Sequence, residues 1–301
     1  MTEQKNQKKY SIKDLENITG IKAHTIRMWE KRYGIIKPKR TNTNIRYYSD
    51  KDLKILMNIS TLNKNGIKIS EIVHMDTKNM CDKIIELNGS TGIVDSQINA
   101  LIISATELDQ QQFDKTMSNC IVKRGIEKTF TTVIFPFLEK LGVMWQTGTI
   151  TPVHEHYISN LIRQKLIVAI DNIDNQSNDK NETFILFLPE NELHEINLLF
   201  NHYILKKAGY NVIYLGQTVP TADIIKISKD IKSEYLLTVI TTGQSTNQLI
   251  KYIDNLSNSF SEKTIFITGP QVAEKEIPQF PNVITFSDYE DLKKQIDIIS
   301  K

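Results

Sequence analysis

Residues 183–200 read TFILFLPENELHEINLLF, and this stretch decides what kind of fold the chain holds. TFILFLP is a short, continuously apolar run, the pattern of a strand buried on both faces. A polar turn follows, and helical spacing then predicts a helix from about His194 to Gly209. The alternation repeats: strand NVIYLG, helix Ala222 to Lys232, strand YLLTVIT, helix Thr246 to Phe260, strands KTIFITG and NVITF, and a closing helix Asp288 to Ser300. Strands and helices alternating at these lengths imply a Rossmann-like parallel α/β sheet. Ligands of such sheets sit outside the carboxyl ends of the strands, and His194 stands at that edge. No GxGxxG follows the strand, so a dinucleotide fingerprint is missing. Glu192 precedes His194 by two residues, close enough to orient its ring and raise its basicity as a metal ligand, although a polar residue at a strand-to-helix turn needs no such role.

Upstream, past the polar linker DNIDNQSNDKNE (171–182), the period becomes helical. KNMCDKIIELNG (78–89), Val94 to Leu108, Phe113 to Arg124, Ile126 to Trp145 and the segment beyond Thr151 read as helices, with Phe130, Val133, Phe137, Leu138 and Leu141 at core spacing. A four-helix bundle is the expected arrangement. The stretch MWQTGTITPVHEHY (144–157) lies near one end of it, with Thr151-Pro152 as a helix entry. Residues i and i+2 of a helix lie about 200° apart around its axis, so His154 and His156 point roughly opposite ways and are not a chelating pair.

The 301 residues suffice for two or three domains with a sizeable core. No apolar run approaches the roughly 18 residues of a membrane span, and the polar start lacks a signal-peptide core, so a cytoplasmic chain is expected. Cys81 and Cys120 lie outside any CxxC or Cys/His spacing, which argues against a disulfide framework or a structural zinc site. The net charge of +2 conceals an asymmetry: residues 1–76 hold 16 Lys and Arg against 8 Asp and Glu, while the remainder has a net charge of −6. A polyanionic partner is implied for the first quarter alone.

That quarter has a helix-turn-helix pattern. Ser11 can cap a short helix, Thr19-Gly20 makes the turn, and a second helix over about Ala23 to Lys31 turns Ile26 and Trp29 inward. Lys22, His24, Thr25 and Arg27 occupy its other face, suited to base edges and phosphates. IIKPKRTNTNIRYYS (35–49) reads as a basic hairpin or wing presenting Arg40, Arg46 and Tyr47. Ser49 with Asp52 opens a third helix in capping-box fashion, and a further helix follows from KNGIKISEIVHM (64–75).

The order, spacing and wing of YSIKDLENITGIKAHTIRMWEKRYGIIKPKRTNTNIRYYSDKDL (10–53) resemble the MerR family of transcription regulators, over about residues 8–76. The resemblance implies that Thr25 and Arg27 contact a DNA groove and that Arg40, Arg46 and Tyr47 contact the duplex from the wing. The long dimerising helix of the commonest MerR design is absent. A winged helix (1–76), a helical bundle (77–175) and a Rossmann-like domain (182–301) together resemble the cobalamin-dependent photoreceptor repressors of the CarH and LitR type. In that family a Trp, nine residues and Glu-His mark the cap over the corrin, and Trp145 with Glu155-His156 keeps that spacing. The resemblance implies His194 as the lower cobalt ligand, Trp145 and Glu155 over the adenosyl group, and His156 as upper ligand after photolysis. Thr238 stands where a serine is usual, Thr268-Gly269 where Gly-Gly is usual, and Asn197 replaces the glycine of the acidic-x-His-x-x-Gly motif.

The implied protein is no enzyme. It is a repressor whose assembly as a dimer or tetramer on operator DNA is set by adenosylcobalamin and light, acting at a promoter where RNA polymerase is a further partner. Two alternatives stay open: a MerR-like regulator whose degenerate pocket answers to another ligand or a protein partner, and a corrinoid-carrying subunit of a methyl-transfer enzyme.

Overall fold

The computed structural model describes residues 9–41, 44–76, 79–80, 83, 90–174 and 180–299. The expected helix 78–89 and Cys81 fall almost wholly outside them, as do residues 77 and 175, where domain boundaries were expected. By contact density the chain divides into two compact units, 1–158 and 159–301.

The first unit opens with two short helices, α1 (Ile12–Thr19) and α2 (Ala23–Tyr33). A reciprocal capping box starts α1: Ser11 Oγ accepts from the Asp14 amide, and Asp14 Oδ2 accepts from the Ser11 amide. Gly20 and Gly34 end α1 and α2 in the left-handed region, at φ 73° and 63°, where a glycine carries no Cβ penalty. Lys22 at the head of α2 makes no side-chain cap. Glu16 supplies it from α1, accepting from the Ala23 amide at 3.2 Å and pairing with Lys22 at 3.3 Å. The bond with Lys22, followed by that from the Ala23 amide, holds the Glu16 carboxyl below its ordinary value.

The wing is a two-stranded antiparallel ribbon, β1 (Lys39–Arg40) and β2 (Arg46–Tyr47), with Arg40 opposite Arg46. A second reciprocal capping box, Ser49 with Asp52, starts α3 (Asp50–Lys64), and the short α4 (Ile69–Ile72) follows. Leu15, Ile26, Trp29, Ile36, Tyr48, Leu53 and Leu56 are buried within this part of the unit.

Helices α5 (Ser90–Glu107), α6 (Gln110–Thr129) and α7 (Phe135–Gln146) pack on one another in the same unit. Gly125 breaks α6 at φ 76°, ψ 170°, a region essentially confined to glycine, so the helix ends at Arg124 and restarts at Ile126 as its sequence implies. A π turn over Phe130–Ile134 joins this restart to α7, with the Phe135 amide donating to the Phe130 carbonyl. Pro136 accounts for it: its ring has no N–H for the Thr132 carbonyl and crowds it, so the preceding turn widens. Phe130, Val133, Phe137 and Leu141 are buried and Leu138 is half-buried.

Polar contacts tie the winged-helix segment to these helices within the unit. Asn99 Nδ2 donates to Thr61 Oγ1 at 3.0 Å, Lys54 pairs with Glu107 at 3.0 Å, and Thr149 Oγ1 donates to Asp14 Oδ1 at 3.2 Å. Helix α8 (Pro152–Asp171) begins in the first unit and ends in the second.

The second unit is a five-stranded, all-parallel sheet: β3 (Thr183–Phe187), β4 (Asn211–Gly216), β5 (Tyr235–Val239), β6 (Thr264–Thr268) and β7 (Val283–Thr285), in the spatial order β4-β3-β5-β6-β7. Helices α9 (Glu195–Lys207), α10 (Thr221–Asp230), α11 (Thr246–Ser259), the short α12 (Pro270–Ala273) and α13 (Tyr289–Ile299) connect and close it. Side chains at alternate positions, Ile185, Phe187, Leu236, Ile240, Ile265 and Ile267, share one apolar cluster with Leu249, Ile253 and Leu256 of α11. The strand order reverses between β3 and β5, and loops leaving the two neighbours in opposite directions open a crevice at their carboxyl ends. His194 follows β3 at that point. None of the described helices is long and apolar enough to cross a membrane.

Candidate functional site

In the first unit, α2 turns Ile26 and Trp29 into the core and leaves His24, Arg27, Met28 and Lys31 exposed. Thr25 is half-buried on the flank of that stripe. Lys22 is exposed beside Glu16. On the wing, Arg40 is exposed and its guanidinium donates to Asn44 Oδ1 at 2.6 Å, steadying the turn, where Asn44 has φ 65°. Arg46 lies 3.9 Å from Glu30 of α2, and Tyr47 is half-buried under the Lys9 ammonium, 4.9 Å from its ring centre. Glu30 also accepts from the Tyr48 hydroxyl at 3.2 Å. Burial, then the Glu30 charge, pushes that phenol up to about 12. One carboxylate therefore fixes the wing against α2, a role that its sequence position alone did not reveal.

Trp145 lies in the last turn of α7, 52% exposed. The loop after it turns back through Gly148 at φ 71°, and α8 starts at Pro152. His154 faces its own helix start, its Nδ1 2.9 Å from Thr151 Oγ1 and 3.3 Å from the Thr151 amide. His156 turns elsewhere and pairs through Nδ1 with Glu155 Oε2 at 2.8 Å, its side chain 73% exposed. The two histidines thus make different contacts, in line with their opposite directions on the helix.

In the second unit His194 is the residue preceding α9, and its ring is 62% exposed. Its Nδ1 lies 2.5 Å from Glu192 Oε1. Glu192 is almost fully buried and its other oxygen accepts from the amides of Thr241 and Thr242 at 2.8 and 2.6 Å, in the loop after β5. Burial raises its pKa, but the bonds from the His194 side chain, the Thr242 amide and the His194 amide outweigh that and hold it at about 2. An ionised carboxylate can only accept, so His194 Nδ1 carries the proton of that bond. The ring is thereby oriented by a carboxylate, as metal-ligating imidazoles commonly are. The described residues contain no group of three or more His, Cys, Asp or Glu able to hold a bare ion. An axial ligand to a metal already held in a macrocycle needs only the one imidazole.

Thr238, the penultimate residue of β5, is fully buried and its hydroxyl has no hydrogen-bond partner among the described residues. A buried orphan hydroxyl costs about 1–3 kcal/mol, and a ligand acceptor would satisfy it. Gly269 has φ 119°, and a Cβ there would lie 2.4 Å from the Ile240 carbonyl oxygen. Contact with the neighbouring backbone explains this glycine whether or not a ligand approaches. Thr268 is buried, and Asn197 Oδ1 accepts from Asn201 Nδ2 at 3.1 Å, so both side chains are occupied within the fold.

A third carboxylate went unnoticed in the sequence. Buried Glu195, next to His194, accepts from Arg163 Nε at 2.6 Å and from the Tyr214 hydroxyl at 2.8 Å. Burial, then that bond to Glu195, raises the Tyr214 phenol far above its ordinary range. Arg163, Glu195 and Tyr214 are 32 and 19 residues apart, a separation at which no local pattern signals contact.

Residues 10–78 match the family described as MerR HTH family regulatory protein, and residues 97–169 match the one described as B12 binding domain. The two matches follow one another along the chain, the helix-turn-helix match first. It is similar to the HTH-type transcriptional repressor CarH of Myxococcus xanthus, with 29% identity over 221 residues, 71% of this chain and 73% of the relative. It is also similar to the repressor CarA of the same organism, with 25% identity over 213 residues, 70% and 69% of the two chains. Both relatives are named as regulators and neither as an enzyme. Among solved structures, the monomethylamine corrinoid protein of Methanosarcina barkeri shares the fold at a TM-score of 0.54 and 16% identity, over 70% of this chain and all of that one.

Proposed function

We propose that this chain is a DNA-binding transcription repressor whose binding to its operator is governed by a cobalamin, in its adenosyl form, and by light. The observation that carries the cofactor half is the Glu192–His194 pair: a buried, ionised carboxylate orients a largely exposed imidazole at the strand-order reversal. The orphan hydroxyl of Thr238 adds a buried donor in the same unit. These residues fit a corrinoid: His194 would hold the lower face and Thr238, with the turn at Gly269, the nucleotide tail. When bound, the cofactor supplies visible absorbance and a cobalt–carbon bond that green light breaks.

Trp145, Glu155 and His156 would serve the upper face. The half-exposed indole would exclude water, the Glu155 carboxylate would accept hydrogen bonds, and His156 would offer an imidazole ligand. A ligand shifts an equilibrium only by its differential affinity for two states. Here the states would be an assembled, operator-bound homo-oligomer, dimer or tetramer, and a released form. Lys22, Thr25, Arg27, Arg40, Arg46 and Tyr47 would contact the duplex, α2 in the groove and the wing along the backbone, excluding RNA polymerase from the promoter.

The test is a mobility-shift titration of the full chain on its own upstream DNA in three states: without cofactor, with adenosylcobalamin in the dark, and after green illumination. The reading expects tight binding in the dark complex alone, weakened at least 10-fold by light. Equal affinity in all three states contradicts cofactor and light control. No binding in any state contradicts the DNA reading as well.

A further inference from the structure

The exposed stripe of α2 consists of His24, Arg27, Met28 and Lys31, at the i, i+3, i+4, i+7 spacing that places residues on one helix face. Three of these are cationic or hydrogen-bonding groups. The fourth is an apolar side chain left 50% exposed, while Ile26 and Trp29 on the opposite face are buried. A single exposed methionine is unremarkable on most helices. This one lies inside a basic stripe, one residue from Arg27 and three from Lys31.

A duplex major groove is about 12 Å wide and admits a helix. Among the donors and acceptors along its base edges, the one bulky apolar group is the C5 methyl of thymine. The unbranched thioether is long and adaptable enough to cover such a methyl. The basic stripe, and the excess of 16 Lys and Arg over 8 Asp and Glu in residues 1–76, complement a polyanion.

We infer that Met28 is a base-reading residue, recognising a thymine methyl in the major groove beside the base or phosphate held by Arg27. This rests on the DNA-binding reading above and assigns it a specificity determinant. Arg27, His24 and Lys31 supply hydrogen bonds and charge, while Met28 supplies the one contact that distinguishes thymine from a base with the same edge and no methyl.

The experiment uses the full chain, with adenosylcobalamin in the dark, to enrich duplexes from a randomised pool. In the enriched duplex each thymine is then replaced singly by deoxyuridine, which removes only the methyl. At one position per half-site the substitution should weaken binding about 4-fold, the factor for one buried methyl group. Met28→Ala should lose about as much on the thymine duplex and become indifferent to deoxyuridine at that position, whereas Met28→Leu should keep the discrimination. If every deoxyuridine duplex binds like its parent, or if the Ala variant still discriminates, the assignment to Met28 is overturned while DNA binding stands. If no sequence is enriched, the DNA-binding reading itself fails.

Discussion

The hydroxyl of Thr149 donates to Asp14 Oδ1 at 3.2 Å, joining the loop that follows Trp145 to the first turn of α1. The other oxygen of Asp14 closes the capping box on the Ser11 amide at 2.7 Å. One carboxylate is therefore shared between the start of the helix-turn-helix and the segment leading to Glu155 and His156. Thr149 is itself buried, and its hydroxyl lies 3.1 Å from that of Thr147. Thr149→Val should lower the unfolding free energy by about 1 kcal/mol, the net worth of one hydrogen bond, and Thr149→Ser should recover most of it. Urea denaturation decides this: an unharmed Val variant beside a destabilised Ser variant would mean that packing of the threonine methyl, and not the bond, holds the loop.

Glu192 orients His194, and carboxylates that hydrogen-bond a metal-ligating imidazole typically contribute 10- to 100-fold in affinity. In Glu192→Gln the amide oxygen can still accept but carries no charge, so the imidazole loses basicity while keeping a partner. Spectrophotometric titration with hydroxocobalamin should show binding about 10-fold weaker or more, with an unchanged far-ultraviolet circular dichroism spectrum. Unaltered affinity would remove the second-partner role from Glu192.

His202 of α9 stacks on Tyr214, ring centres 5.2 Å apart, and its Nδ1 is buried without a partner among the described residues. Burial, then the charge of Lys206, pushes its pKa down to about 4 from 6.5. The unfolded chain therefore binds this proton more tightly than the folded one, so the contribution to stability is full above pH 6.5 and is lost as pH falls to about 4. His202→Phe keeps the stacking and removes the titration. Near pH 5 the variant should gain about 2 kcal/mol relative to its standing at pH 7.5. Chemical denaturation across that range gives the answer, and parallel pH profiles for variant and parent would refute it.

Much of the architecture was legible because it is encoded locally. The capping residues Ser11, Asp14, Ser49 and Asp52, the continuous apolar run at 183–187 and Gly125 each act through their own neighbours. Short-range spacing also anticipated that His154 and His156 part company. Contacts made across the sequence were not legible. Glu30 bracing the wing, Glu16 capping α2 from another helix and Glu195 joining Arg163 to Tyr214 each pair residues whose proximity exists only once the elements have packed. The π turn before Pro136 falls between these cases, since the proline was visible but a kink and a widened turn are both ways to accommodate it.

The account stands or falls on whether His194 binds a corrinoid. Purified full-length chain incubated with adenosylcobalamin in the dark and passed through gel filtration should elute with the corrin's visible absorbance in near-stoichiometric amount, and His194→Ala should elute with most of that absorbance gone. A colourless parent, or a variant as deeply coloured as the parent, would contradict it.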